Sequence, residues 1–222
     1  MSFEIKRYTA DDEAAWNDFV AHSKQGTFLF DRRYMDYHQD RFHDHSLMVY
    51  KDRRLYALLP ANESDGTLWS HQGLTYGGLL TDHRATTANV CEAFISINAY
   101  LRDNGFQRVV YKSIPWIYEQ LPAEEDLYAL TNVCNAQLMV RHISTTLVRD
   151  HRLKFIESRR SGIRKALRNG LTVRESGDLQ AFWHILDSNL EHKYGARPVH
   201  SEQELELLKS RFPSQIRLYM AY

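Results

Sequence analysis

One strongly basic segment lies in the second half of the chain and reads Ser158-Arg159-Arg160-Ser161-Gly162-Ile163-Arg164-Lys165-Ala166-Leu167-Arg168-Asn169-Gly170. In a helix, the spacing of Ile163, Ala166 and Leu167 places all three on one narrow apolar face. Gly170 lies where such a helix would end, because glycine readily adopts the left-handed conformation of a C-terminal cap. The segment therefore predicts an amphipathic helix.

The same helix would concentrate positive charge. Arg160, Arg164 and Arg168 form a row at four-residue spacing, and Arg159 and Lys165 lie beside it. A cluster of cations without an acidic residue favours a phosphate-bearing partner. A solvated helix face would explain the same composition without any ligand. These residues alone leave both interpretations open.

The overall composition is that of a globular protein without an excess of charge. The chain has 222 residues, of which 43% are hydrophobic, so it can form one large domain or two small ones around a buried core. It contains 28 Lys and Arg residues and 28 Asp and Glu residues. The balanced charge gives no indication of DNA binding, and any polyanion site must be local.

The sequence predicts a cytoplasmic protein. Its first residues lack a charged region followed by an apolar run, so no secretory signal is expected. No apolar run approaches the roughly 20 residues that cross a bilayer. Cys91 and Cys134 lie far apart without CxxC spacing, which is typical of reduced thiols.

Strands and helices alternate along the first 150 residues. Hydrophobic periodicity predicts a long helix over 86–102 and an aromatic, basic helix over 31–42. Further segments are rich in residues that favour strands, namely 3–8, 46–51, 55–60, 67–70, 109–113 and 136–148. The expected fold class is therefore α/β or α+β, with a mixed sheet flanked by helices.

The order of elements at the start of the chain recurs after the basic segment. A strand, a helix capped by Asp178, a helix opened by the capping box Ser201-Glu202-Gln203-Glu204 and a last strand repeat the order of residues 3–51. We therefore expect a first domain over 1–150, a basic linker helix over 151–170 and a second domain over 171–222. The chain stops inside its last predicted strand, so the second domain is expected to be incomplete.

Two places in the first domain could bind a ligand. His38 and Arg41 are three residues apart on the predicted aromatic helix, which suits an anionic ligand. The histidines around them match no zinc spacing, so no metal is expected. Gly73 lies in a glycine-rich turn after a strand, where backbone N–H groups can approach a phosphate or carboxylate. A purely structural turn explains the same glycines.

The second domain adds one more candidate. Arg197 precedes a proline in the loop between two capped helices, and its guanidinium offers a bidentate grip on phosphate or carboxylate. A surface ion pair with a neighbouring Glu is the competing interpretation. The basic helix lies at the seam of the two predicted domains, where ligands are often held, and this favours phosphate binding by Arg160, Arg164 and Lys165.

Several motifs together resemble a known family. The C-terminal pattern comprises the end of the basic helix with Asn169-Gly170, a Phe182-Trp183 helix, the run Tyr194-Gly195-Ala196-Arg197-Pro198 and the strand 216–221. Looser matches in the first half are Gly26-Thr27-Phe28, Gln72-Gly73 and a strand that ends Lys112-x-x-Pro115. In these features the chain resembles the FemABX family of aminoacyltransferases in the GNAT superfamily.

The resemblance implies two tandem GNAT-like domains and N-acyl transfer. Family members move an acyl group, usually an aminoacyl group from tRNA, onto an amine of a peptidoglycan precursor, and related proteins acylate surface polysaccharides. The phosphates of the nucleotide-linked precursor would be held by Arg197 and by the position of His38, where the family has a lysine. His200 and Ser201 stand where an aromatic residue is expected, which leaves the acceptor open.

The resemblance also indicates what this sequence lacks. In GNAT chemistry a segment after the last strand holds the pyrophosphate of the donor, and no such segment is evident here. The donor is therefore expected to be aminoacyl-tRNA or acyl-CoA without assigned binding residues, and the activity of this chain by itself is open. Two alternatives remain, an acyl-CoA-dependent N-acetyltransferase of a small amine and a non-catalytic fragment that binds tRNA or another polyanion.

Overall fold

The protein is a mixed α+β chain. A computed structural model describes residues 3–222 and shows several small sheets flanked by helices, which confirms the expected α+β fold class. The chain divides into two compact units, one ending at His142 and the other running from Ile143 to Tyr222.

The first unit is built from short strands and four helices among its described residues. The strands are β1 (Phe3–Arg7), β2 (His43–Asp44), β3 (Leu47–Lys51), β4 (Arg54–Leu59), β5 (Asn62–Ser64), β6 (Thr67–Trp69), β7 (Leu80–Thr81) and β8 (Arg108–Val110). The helices are α1 (Glu13–His22), α2 (Arg32–Met35), α3 (Thr87–Asp103) and α4 (Glu125–Asn132).

Two four-stranded sheets organise this unit. The first has the strand order β1-β3-β4-β7 and is antiparallel throughout, with Ile5 opposite Val49. The second has the order β2-β5-β6-β8, and its last pair, β6 and β8, is parallel. A parallel pair needs a crossover connection, and α3 lies in the chain between these two strands.

The helix α3 supplies one side of the core. Val90, Phe94, Ile97 and Leu101 recur at helical spacing and are all buried, as the sequence predicts. Each large apolar side chain buried in this way contributes about 1.5–3 kcal/mol to stability. The side chain of Thr86 caps the helix by accepting a hydrogen bond from the backbone N–H of Asn89. The predicted long helix over 86–102 is thus confirmed within one residue at each end.

The second unit contains a two-stranded sheet and three helices. Its elements are α5 (Glu157–Arg168), β9 (Val173–Ser176), α6 (Leu179–Tyr194), α7 (Glu202–Arg211) and β10 (Leu218–Ala221). The strands β9 and β10 pair antiparallel, with Met220 opposite Arg174. Asp178 caps α6, and the capping box of Ser201 and Glu204 opens α7, as predicted.

The first and second units share the order strand, helix, helix, strand. In the first unit this is β1, α1, α2 and β3, with the short strand β2 before β3, and in the second it is β9, α6, α7 and β10. The outer strands are antiparallel neighbours in both units. The chain therefore repeats one supersecondary pattern, as the sequence indicates.

Three predicted elements differ from the structure. The helix expected over 31–42 is only the single turn α2 followed by a 3-10 turn at Asp36–His38. The strand expected over 109–113 is limited to β8, and Val109 is exposed rather than buried. The predicted strands over 136–148 are absent from the structure of that stretch. β-branched residues stabilise a strand only where a neighbouring strand pairs with the segment. Residues 136–148 have no such neighbouring strand in the structure.

No helix among residues 3–222 is both long enough and apolar enough to span a membrane.

Candidate functional site

His38 and Gly73, two of the predicted site residues, lie against each other in the first unit. The His38 Nε2 is 3.3 Å from the carbonyl oxygen of Gly73. A Cβ atom at Gly73 would lie 2.2 Å from that nitrogen and 2.6 Å from the Phe42 ring, distances that real Cβ atoms do not show. Only glycine therefore lets the turn come this close to His38.

The His38 imidazole is a packed side chain. It is 2% exposed, and its Nδ1 is 2.7 Å from the carbonyl oxygen of Met35. The ring stacks on Tyr37 at 4.2 Å between centroids and meets the edge of Phe42 at 4.9 Å. Both ring nitrogens thus face backbone carbonyl oxygens. This environment holds the ring in one orientation and leaves almost none of it accessible.

His71 is a second buried histidine beside the first, and the sequence analysis did not single it out. Its ring stacks on His38 at 5.5 Å between centroids, and its backbone φ of 61° lies in the left-handed region. Its Nδ1 is buried and has no hydrogen-bond partner in the part of the chain that the structure describes. Burial and, secondarily, the neighbouring His38 lower the pKa of His71 to about 3. An unpaired buried polar atom on a strained backbone is a costly arrangement of the kind found at functional sites.

Lys112 supplies a half-buried cation next to this turn. Its ammonium group donates to the carbonyl oxygen of Leu74 at 2.5 Å, and its backbone N–H donates to the Ser70 hydroxyl at 2.6 Å. Burial lowers the pKa of Lys112. In the sequence, Lys112 could have been noticed through the run Lys112-x-x-Pro115. That run contributes to the family resemblance, but the resemblance implies no role for the lysine. Lys112 and His71 are the polar groups that the sequence analysis missed here.

Arg41 lies at the surface of this region. Its Nε is 3.9 Å from the carboxylate of Asp40, its guanidinium lies 5.7 Å from the centre of the Tyr37 ring, and about a third of its side chain is exposed. The helix expected to present His38 and Arg41 on one face has already ended at Met35. The two residues are therefore neighbours in sequence with different environments, one buried and one accessible.

The predicted basic helix forms as α5. Arg160 and Arg164 both pair with Glu157 in its first turn, and the Arg160 Nη1 to Glu157 Oε2 distance is 3.3 Å. The side chains of Arg159, Lys165 and Arg168 make no hydrogen bond or ion pair with any residue between 3 and 222. Exposed pairs of this kind contribute little stability, so the cations of α5 are held only weakly and can exchange partners.

Arg197 lies in the loop between α6 and α7. The helix α6 ends at Gly195, whose φ of 58° gives the left-handed cap that glycine accommodates without strain. Arg197 follows two residues later and is exposed, and within the described range 3–222 its side chain makes no ion pair or hydrogen bond. The ion pair with a neighbouring Glu, the competing interpretation of this residue, is thus not formed in the structure.

Two further histidines of the first unit, His43 and His45, contact the same carboxylate. The Nδ1 atoms of His43 and His45 lie 2.5 Å and 3.0 Å from the two carboxylate oxygens of Glu63. Burial lowers the pKa of His45. Within residues 3–222, no group of three or more His, Cys, Asp or Glu side chains is arranged to hold a metal ion.

The predicted residues thus fall into three places. His38 and Gly73 meet in the first unit with Arg41 nearby at the surface. Within the second unit, α5 carries Arg160, Arg164 and Lys165, whereas Arg197 lies in a separate loop. The chemistry common to all three is cationic or polar and suits a ligand that carries negative charge.

Comparisons with known proteins give one similar fold. No protein-family model matches the chain, and no curated protein matches it. The α+β fold described above is similar to that in a solved structure entitled "Crystal structure of FemX", with a TM-score of 0.50 and 13% sequence identity. The match covers 98% of this chain and 57% of that one, so the chain spans little more than half the length of FemX. At this identity the likeness concerns the fold.

Proposed function

We propose that this chain is an N-acyltransferase, or a large part of one, that moves an acyl or aminoacyl group onto an amine of a cell-envelope precursor. The observation that carries the proposal is the FemX-like fold over nearly the whole chain. The motifs that resemble the FemABX family point in the same direction. The preferred acceptor is a nucleotide-linked peptidoglycan precursor, and a surface polysaccharide precursor is the second choice.

In this proposal Arg197 binds a phosphate of the acceptor. An exposed guanidinium without an ion-pair partner in the described chain is available for a charged ligand, and its forked geometry matches two phosphate oxygens at once. Hydrogen bonds between charged groups contribute about 1.5–3 kcal/mol, which corresponds to roughly ten- to a hundredfold in affinity. The cations of α5 would bind further phosphates of the acceptor or of tRNA.

In the first unit, His38 would help to position the ligand, and Arg41 would supply the charge. His38 is fixed by Gly73, Met35 and its aromatic neighbours, and Arg41 is the accessible cation beside it. Such a site accelerates transfer mainly by holding two reactants in a reactive orientation. A proton must also leave the attacking amine, and a substrate phosphate is one acceptor for it. The donor is proposed to be aminoacyl-tRNA, with acyl-CoA as the alternative.

The test is a calorimetric titration of the chain with a nucleotide-linked peptidoglycan precursor. Replacing Arg197 with Ala should weaken binding roughly ten- to a hundredfold. The matched control is Arg102→Ala, which removes a surface arginine on α3 whose side chain is 77% exposed, and it should leave the affinity unchanged. Equal affinity of Arg197→Ala and the control would contradict the proposed role.

Two alternatives give different results in parallel assays. An acyl-CoA-dependent acetyltransferase would bind acetyl-CoA in competition with other acyl-CoA esters and ignore charged tRNA. A non-catalytic polyanion-binding fragment would bind tRNA with a steep loss of affinity as salt rises and without dependence on the acyl group. The cations of α5 are the observation that favours this second candidate.

A further inference from the structure

An unusual combination of charge and apolar surface occurs at the start of the second unit. Residues 143–168 contain eight Lys and Arg residues and two acidic residues in a chain whose net charge is zero. We call them the basic–apolar segment. Six of its large apolar side chains are more than 60% exposed, namely Ile143, Leu147, Leu153, Phe155, Ile156 and Leu167. The surfaces of soluble proteins seldom present so many bulky apolar side chains within one short segment. The segment therefore has the composition of a binding surface.

The helix α5 orders part of this surface. Ile156 at its N-cap, Ile163 and Leu167 are separated by seven and four residues, so they lie along one face of the helix. Leu167 is 66% exposed and Ile163 is 42% exposed. Arg159 and Arg160 precede Ile163 on the two sides of this apolar line. A shallow cavity of about 470 Å³ lies along the same face.

We propose that the basic–apolar segment docks on the surface of an anionic lipid bilayer. A helix with an apolar line bordered by arginines can lie in the membrane interface, with its aliphatic side chains among the acyl chains and its cations at the phosphate headgroups. The proposal goes beyond the proposed function, which needs the α5 cations only for the phosphates of a substrate.

The charge and the side-chain types distinguish this partner from two others. A nucleic acid would match the cations, but single strands are bound by stacking on aromatic rings, and Phe155 is the only Phe, Tyr or Trp in the segment. If the segment bound the phosphate backbone of a nucleic acid, its exposed aliphatic side chains would remain in contact with water. A second copy of the chain that docked symmetrically through this segment would place the two sets of cations against each other, which disfavours association.

The test measures binding of the 222-residue chain to vesicles by sedimentation. Vesicles containing about one-third phosphatidylglycerol in phosphatidylcholine should bind the chain, whereas phosphatidylcholine alone should not, and added salt should release it. The double variant Arg159→Gln, Arg160→Gln should weaken binding roughly thirtyfold, because each cation near an anionic surface contributes about fivefold.

A second variant tests the apolar part. Leu167→Ser should weaken vesicle binding roughly tenfold, the effect of returning one leucine side chain to water. Its control is Ile185→Ser, an equally conservative change at an exposed isoleucine on α6 with no Lys or Arg within four residues, and it should bind like the unmodified chain. Circular dichroism confirms that each variant is folded.

Three results would overturn the inference. The first is equal binding to vesicles with and without phosphatidylglycerol. The second is identical vesicle binding by Leu167→Ser and Ile185→Ser. The third is tighter binding of the chain to bulk tRNA than to vesicles, with tRNA binding weakened in the double arginine variant and vesicle binding unchanged in Leu167→Ser. That combination would make the segment a nucleic-acid surface. Vesicle binding needs neither donor nor acceptor, so its failure is distinct from a failure of the proposed acyl transfer.

Discussion

Buried His71 should make the first unit sensitive to mild acid. Its folded-state pKa of about 3 is well below the ordinary value of 6.5, because burial disfavours the charged ring. Between these two values the unfolded chain binds a proton at His71 and the folded chain does not. Stability from this group is therefore complete above the unfolded pKa and is lost as pH falls below it.

The size of the effect follows from the shift. One pH unit within this window changes the free energy of unfolding by about 1.4 kcal/mol per titrating group. Lowering the pH from about 7.5 to about 5.0 crosses roughly 1.5 units of the window, so His71 should cost about 2 kcal/mol. This is a large fraction of the 5–15 kcal/mol that is typical of small domains.

The perturbation is His71→Asn, measured by urea unfolding at both pH values with tryptophan fluorescence. Asn tolerates the left-handed backbone of this position and does not titrate, so its stability should fall with pH by about 2 kcal/mol less than that of the unmodified protein. Three of the four tryptophans belong to the first unit and report on it. His45 titrates in both proteins and cancels in the comparison.

The control for this experiment is His184→Asn, which removes an exposed histidine on α6 in the second unit. It should keep the pH dependence of the unmodified protein. Parallel stability curves for His71→Asn and the unmodified protein, agreeing within about 0.5 kcal/mol, would refute the account of His71 as a neutral buried group.

Two further changes test the packing around the candidate site. Gly73→Ala should lower the melting temperature and cost about 1–3 kcal/mol, because its Cβ would overlap His38 and Phe42; Gly177→Ala, with open space around it, should leave the melting temperature unchanged. Arg32→Met should cost about 3–5 kcal/mol in urea unfolding, because the Arg32 side chain is 3% exposed and pairs with Asp36 and Asp44. Arg102→Met, at an exposed position, should not change the free energy of unfolding measurably. An equal loss of stability in Arg32→Met and Arg102→Met would contradict a stabilising role for the ion pairs of Arg32.

Regular periodicity made much of the fold predictable from the sequence. The helix α3 carries Val90, Phe94, Ile97 and Leu101 at helical spacing, and α6 and α7 begin at side chains that cap their first turns. These signals are local, so they need no knowledge of the tertiary structure. The strands expected over 3–8, 46–51, 55–60 and 67–70 also form, with ends that differ by one residue.

The failures have a common physical cause, which is dependence on distant partners. Residues 136–148 are rich in residues that favour strands, yet a strand requires a neighbour that local sequence does not supply. The helix expected over 31–42 breaks after α2, where His38 packs between Tyr37, Phe42 and the Gly73 turn. His71 becomes buried and unpaired only through the same packing, which no spacing in the sequence revealed.

The proposed ligand-binding residues lie in different environments in the structure. Arg197 and the α5 cations are exposed, as a binding role requires, and their positions could be read from the motifs around them. His38 was predicted from its spacing to Arg41 and from its place in the resembling family, and the structure shows it buried against backbone carbonyl oxygens. A charged phosphate-binding role is therefore better supported for Arg197 than for His38.

The most direct test of the central claim is hydrogen–deuterium exchange with and without the nucleotide-linked peptidoglycan precursor. We predict slower exchange in the loop between α6 and α7, over residues 195–200, with no change in α3. The protection should disappear in Arg197→Ala and persist in Arg102→Ala. Precursor that binds without slowing exchange in this loop, or that fails to bind at all, would contradict the claim that this FemX-like chain receives an envelope precursor at Arg197.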